Sequence, residues 1–220
     1  MAPQKKQVYF VPGMAAGSEI FKNIKLPENS FDIHILEWLI PEKNEPLTHY
    51  AKRMTASIKV ENPILVGVSF GGVVAQEMAT VLQPEKLVII SSVKSARELP
   101  TRMQFARKTG AYKLIPTGLM LSADDLTKFA IGPRTKKRLS LYQEFLHVRD
   151  KRYLDWAIKN MVTWQRKEPL PNVLHIHGDE DIVFPIKKIE NCIIVEGGTH
   201  VMLLNKGKLI SEKLIEIISG

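Results

Sequence analysis

The sequence is poor in the residues that mark several large classes of protein. Cys192 is the one cysteine in 220 residues, so no disulfide can form within the chain and nothing points to an oxidising compartment. No apolar run approaches the roughly 18 residues that a membrane span needs. The opening "MAPQKKQVYFVPGMAAG" has the lysines, apolar run and small residues of a secretion signal, but Pro12 and Gly13 cut the run short. A cytoplasmic location is the expectation. There is no G-x-G-x-x-G dinucleotide turn, "NKGK" (205–208) lacks the glycines and the Ser/Thr of a phosphate loop, and no repeat or low-complexity tract occurs. No cofactor is expected.

What is present is the composition of an ordinary globular protein, 45% hydrophobic and 25% charged, at a length that one domain over 1–220 accommodates. The net charge of +8 is unevenly spread: residues 94–168 hold 17 Lys/Arg against 7 Asp/Glu, and the rest holds 14 against 16.

Short β-rich runs alternate with helical patterns, which predicts an α/β fold whose mostly parallel, doubly wound sheet is covered on both faces. "QVYFV" (7–11), "FDIHIL" (31–36), "PILV" (63–66) and "KLVIISSV" (86–93) read as the first four strands. Leu47, Tyr50, Ala51, Met54 and Ile58 share one helical face behind Pro46, and Val74, Met78, Val81 and Leu82 share another that stops before Pro84. From Lys94 to about residue 170 the β-branched runs cease, and a helical insertion is expected after the fourth strand. The rhythm resumes with "NVLHIHG" (172–178) and "CIIVEGG" (192–198), which makes about six strands and puts Cys192 in the last as buried filler. A final helix carries Leu209, Ile210, Leu214, Ile217 and Ile218. Between Asp181 and Cys192 there is room for one short helical turn at most.

"GVSFGG" (67–72) sits between the third strand and the helix after it, so Ser69 is the centre of a G-x-S-x-G turn in the context that a nucleophile elbow requires. A serine hydroxyl needs a histidine to take its proton, and that histidine needs a carboxylate to fix its tautomer. Of the six histidines, His200 directly follows the end of the last strand, where an open parallel sheet collects its functional groups. His34, His175 and His177 lie within strands and His49 on a helix, where a structural imidazole is the better reading; His147 lies in the insertion and is expected to face water. For the acid, "HGDEDIVFP" offers Asp179, Glu180 and Asp181, and spacing does not choose among them. A solvated acidic turn is the simpler reading of Asp179 and Glu180.

The chain resembles the α/β-hydrolase fold family through "GVSFGG", "HGDEDIVFP" and "EGGTH", in that family's order of serine, acid and histidine. The resemblance implies Asp181 as the acid, since the family's G-x-x-D loop with its later proline maps onto Gly178, Asp181 and Pro185. It also implies that the backbone N–H groups of Met14, in "FVPGMAAG", and of Phe70 form an oxyanion hole. Pro12 stands where the family often has histidine, and the two antiparallel strands that begin fuller members are not expected here. The insertion at 94–170 becomes a helical lid, with Trp156, Trp164, Phe105, Tyr112, Leu114, Leu119 and Leu121 available to line its underside or to pack among its helices. The activity implied is a serine carboxylesterase or thioesterase, with a C–C bond hydrolase or lyase, or a non-catalytic small-molecule receptor, as alternatives.

Two features compete with that reading. "HIHGD" (175–179) fits the H-x-H-x-D pattern of metal-dependent hydrolases, but too few histidines follow to complete a dinuclear shell, and no metal is expected. The basic insertion reads as a solvated surface, or as a surface guiding an anionic or carrier-bound ester or thioester. No nucleic-acid motif accompanies it.

Overall fold

The computed structural model describes residues 5–114 and 147–220. Six strands form one all-parallel sheet in the order β2-β1-β3-β4-β5-β6: β1 Lys6–Val11, β2 Phe31–Ile35, β3 Ile64–Val68, β4 Lys86–Ile90, β5 Val173–Gly178 and β6 Ile193–Val195. Alternation along the strands sends neighbours to opposite faces. Tyr9, Val11 and Leu65 join a core under α1 (Leu47–Thr55), α2 (Phe70–Leu82) and α4 (Lys151–Thr163), while Val8, Phe10, Ile64, Val66 and Val68 join a second core under α5 (Met202–Asn205) and α6 (Gly207–Ser219). Burial on both faces is why these strands read as continuous apolar runs.

The chain steps from β1 outward to β2 and returns to β3 on the other side of β1, so the order reverses between β1 and β3. The connections that follow β1 and β3 therefore run to opposite faces of the sheet, Phe21 into one core and Phe70 into the other, and leave a crevice between them. The loop after β1 carries Met14 and the loop after β3 carries Ser69.

Several expectations from periodicity are corrected in detail. The predicted face of α1 is buried throughout, with Ile58 beyond its end, but Val81 of α2 is 47% exposed and Leu209 of α6 is 38% exposed. β4 stops at Ile90 because Ser91 turns to φ 48°, with its N–H donating to Ile176 O at 3.0 Å. Cys192 precedes β6 and is half-buried rather than core filler. Between β5 and β6 there is one 3-10 turn, Ile186–Lys188, as the short connection requires.

Among the described residues, the next strand of the sheet after β4 is β5, which starts at Val173. Of the lid expected over 94–170, residues 115–146, including Leu119 and Leu121, lie outside the described residues. The described flanks are α3 (Thr101–Thr109), a 3-10 turn at Ala111–Leu114, and α4. The first flank starts inside the core: Lys94, Ser95, Glu98 and Leu99 are buried, and Glu98 accepts from the N–H groups of Lys94 and Glu190. Trp156 and Trp164 are likewise core residues, whose indoles donate to Glu45 O at 2.8 Å and Glu77 Oε1 at 2.9 Å. Among the described residues no helix is long and apolar enough to cross a membrane.

Candidate active site

Ser69 stands between the end of β3 and the start of α2, as the N-cap of the helix, in a conformation that L-residues seldom adopt, φ 53° and ψ −121°. A strained non-glycine residue persists only where its surroundings over-determine it. Here the Ser69 N–H donates to Ile90 O at 2.9 Å, and Ser69 O accepts from Gly72 N at 2.9 Å and Ser92 Oγ at 2.7 Å. The flanking glycines are needed for close approach. A Cβ on Gly67 would lie 2.5 Å from Gly71 O, and one on Gly71 would run into the carbonyl oxygens of Val11 and Pro12.

The acid and histidine loops meet through two further glycines. A Cβ on Gly178 would collide with the backbone of Gly198, so these bare positions let the loops after β5 and β6 touch. Glu180 N donates to Gly198 O at 2.9 Å and seals the contact. Across it, His200 Nδ1 donates to Asp181 Oδ2 at 2.9 Å, and His200 Nε2 lies 2.9 Å from Ser69 Oγ. With Nδ1–H on the carboxylate, the neutral ring turns its Nε2 lone pair to the hydroxyl. The site has the parts to move a proton off Ser69.

Asp181 is the buried member of the three acidic candidates, 3% exposed; Asp179 and Glu180 are exposed, and Asp179 Oδ1 accepts from Gly198 N at 3.2 Å. Asp181 Oδ1 accepts from the N–H groups of Val183 and Phe184 at 2.8 and 2.9 Å. Burial pushes the Asp181 carboxyl up, but His200, the Phe184 N–H and His177 together outweigh it and hold the carboxyl below its ordinary range.

Behind Asp181, His177 Nε2 donates to Phe184 O at 2.8 Å and lies 3.7 Å from Asp181 Oδ2. His175 Nε2 is 3.1 Å from His177 Nδ1. Burial lowers the pKa of both rings, His175 strongly, which favours their neutral forms. Phe184 is held at its carbonyl by His177 and at its N–H by Asp181, while its ring meets that of His200 edge-on at 5.4 Å. Sequence reasoning treated His177 as a generic structural histidine and missed Phe184.

Met14 and Phe70 both border the space beside Ser69. Among the described residues neither backbone N–H has a hydrogen-bond partner, as is normal for the first residue of a helix such as Phe70. Trp38, which no motif signals, touches both residues' surroundings: its Nε1 donates to Gly13 O at 3.0 Å and its ring stacks on Phe70 at 5.7 Å.

Ser69 and His200 open on a cavity of about 290 Å³ walled by Met14, Phe70, Met103, Ile158, Met161 and Phe184, with Tyr112 and Arg102 also on its surface. Phe105 and Leu114, offered for such a lining, are 65% and 82% exposed and do not reach it. The other histidines are engaged elsewhere. His34 stacks on Tyr9 at the sheet edge, His49 pairs with Glu45 at 2.6 Å, and the half-exposed His147 lies 3.0 Å from Glu19. Glu42, Glu45 and His49 bring three metal-type donors within 4.8 Å of one another. The Glu45 carboxylate, however, already accepts from Arg53 Nη1 at 2.7 Å, Glu42 N at 2.8 Å and His49 Nδ1, so its oxygens are committed to the fold.

No family model matches the chain, and no curated protein matches it. Solved structures do. An esterase from Exiguobacterium antarcticum superposes with a TM-score of 0.69 at 15% identity, covering 99% of this chain and 93% of that one. A bromoperoxidase from Bacillus anthracis gives 0.66 at 15% identity, over 99% and 93%. An extracellular α/β-hydrolase from a Paenibacillus species gives 0.59 at 14% identity, over 96% and 98%. At these identities the likeness is one of fold: the chain has the α/β-hydrolase fold.

Proposed function

We propose that the protein is a serine hydrolase that cleaves a carboxylic ester or thioester through an acyl-enzyme on Ser69. The observation that carries this reading is the hydrogen-bonded series Ser69, His200, Asp181, with both links at 2.9 Å, at the mouth of an apolar cavity. Ser69 Oγ attacks the carbonyl carbon as its proton passes to His200 Nε2, and the Asp181 carboxylate stabilises the imidazolium that results. The carbonyl oxygen becomes an oxyanion that accepts from the N–H groups of Met14 and Phe70. Collapse expels the alcohol or thiol, which takes the proton from His200. Water then attacks the acyl-enzyme, giving its proton to His200; the acid leaves and Ser69 recovers the proton.

An apolar cavity is suited to an acyl chain, and at about 30 Å³ per water-sized group it holds roughly ten such groups. The described flanks of the 94–170 segment supply Arg102, Met103, Tyr112, Ile158 and Met161 to its wall, which favours a lid role for that segment. The test is hydrolysis of short para-nitrophenyl esters together with labelling by a serine-directed phosphonate. Both are expected of the parent protein and neither of Ser69→Ala. A parent protein that hydrolyses no ester or thioester and resists the phosphonate would overturn the reading.

A further inference from the structure

We propose that the substrate of the Ser69 site carries an anionic group, a carboxylate or a phosphate, away from the reacting carbonyl, and that Arg102 binds it. This rests on the ester or thioester reading above. Among the described residues that wall the cavity Arg102 is the one with a fixed charge, and none of them is a carboxylate. Its Nη2 donates to the carbonyl oxygens of Ile182 and Val183, at 3.2 and 2.9 Å. Those contacts pin the guanidinium to the loop that also positions Asp181, but carbonyl oxygens do not neutralise it. Among the described residues no carboxylate lies within ion-pair distance of it.

A guanidinium has five N–H groups. Two are on the Nη2 already engaged, which leaves the Nε and Nη1 donors for a ligand. Other arginines are paired with carboxylates, Arg53 with Glu45 at 2.7 Å, Arg97 with Glu168 and Arg166 with Glu77 at 2.9 Å, while Arg107 donates to Trp164 O at 3.5 Å away from the cavity. Arg102 is the arginine among the described residues that is oriented by backbone carbonyls, unpaired with a carboxylate, and at the cavity wall. It is exposed at the cavity wall, so an anion reaches it with part of its hydration intact, and the rest of the apolar lining offers a charged substrate nothing else. The described stretches 94–114 and 147–168, which supply most of that wall, hold 12 Lys/Arg against 4 Asp/Glu, a balance that favours the approach of an anion.

The test compares matched pairs that differ only in the anion. In one arm, mono-para-nitrophenyl esters of succinate, adipate and suberate are compared with those of butyrate, hexanoate and octanoate, placing the charge on the acyl side. In the other, hexanoyl thioesters of phosphopantetheine and of its dephosphorylated form place it on the leaving group. A charge-assisted hydrogen bond predicts a kcat/KM ratio of anionic over neutral substrate of about ten-fold or more in at least one arm. That ratio is expected to collapse in Arg102→Gln and to fall further in Arg102→Glu. Because both substrates meet the same preparation, partial unfolding of a variant leaves the ratio untouched. Ratios near one in both arms, or ratios that survive Arg102→Gln, overturn the proposal while leaving the hydrolase reading intact. Turnover of the anionic substrates alone, lost in Arg102→Gln, supports the proposal most strongly, whereas the hydrolase reading fails if none of the substrates, anionic or neutral, is turned over. The proposal is then decided by calorimetric binding of adipate monoamide against hexanamide, with tighter binding of the anion, lost in Arg102→Gln, as the supporting result and equal binding as the overturning one.

Discussion

Trp38 Nε1 donates to the Gly13 carbonyl oxygen at 3.0 Å, and this bond sets the direction of the Met14 N–H. The Gly13–Met14 peptide is trans and planar, so its N–H points opposite to its C=O. Ala16 N holds the same carbonyl at 3.0 Å, and Gly13 lies directly over Ser69. The indole therefore anchors one face of the peptide, and in the proposed mechanism the opposite face presents the Met14 N–H to the oxyanion. Trp38→Phe keeps an aromatic ring against Phe70 and removes the donor. The expected result is a fall in kcat of about ten-fold to a hundred-fold with KM little changed, below the full cost of deleting an oxyanion donor. Steady-state kinetics on para-nitrophenyl butyrate reads it, and an unchanged kcat would remove Trp38 from the oxyanion geometry.

His177 acts on Asp181 through Phe184. Phe184 O can only accept, so His177 Nε2 carries the proton; its Nδ1 is then a lone pair that accepts from His175 Nε2–H. The same logic leaves His175 Nδ1 without a partner, and it is one of the few buried polar atoms in that state. His177→Leu is expected to loosen the Phe184 peptide and lower kcat by about ten-fold. His177→Gln, whose amide N–H reaches similarly, is expected to restore most of it. Equal losses in the two variants would assign His177 to packing alone.

Asp181→Asn retains an oxygen to accept from Val183 and Phe184 but can present an amide N–H to His200 Nδ1. The histidine would then hold its proton on Nε2, facing Ser69, and could not accept one. A loss of about 10⁴-fold in kcat is expected. Circular dichroism melting should show the fold retained, which separates a tautomer effect from unfolding.

Stability should fall with acidification in two stages. His175 and His177 are held below the unfolded value of 6.5, so the unfolded chain binds more protons as the pH drops through that value, and their contribution is full above it and lost below. Asp181 is held below 3.8, and its contribution disappears only as the pH falls beneath that. Urea unfolding from about pH 7.5 to about pH 4.5 should show the first stage. His175→Gln, which can still donate to His177 but does not titrate, should flatten it; an unchanged slope would refute the assignment.

Local chemistry made much of this legible. The β-branched runs and the glycines of "GVSFGG" are constraints that a strand and a tight turn impose on the residues within them, so sheet, elbow and Ser69 could be read along the chain. Local pattern did not choose the acid, which the family resemblance alone assigned to Asp181, because Asp179, Glu180 and Asp181 differ only in the direction the loop turns them. That direction is set by contact with Gly198, twenty residues away in the sequence from Gly178. The predicted fourth strand ran past its true end because the residues that follow β4, Ser91 to Val93, stay buried in the core after the strand has turned away.

The sequence by itself determined the α/β order, the six parallel strands and the candidates Ser69 and His200, because periodicity and turn chemistry act between near neighbours. Only the tertiary structure decided that Asp181 is the partner of His200, that Trp38 orients the Met14 peptide, that His177 braces Phe184 and that Arg102 stands unneutralised at the cavity. Each of these is a contact between segments far apart in the chain, fixed by packing and burial rather than by any local pattern.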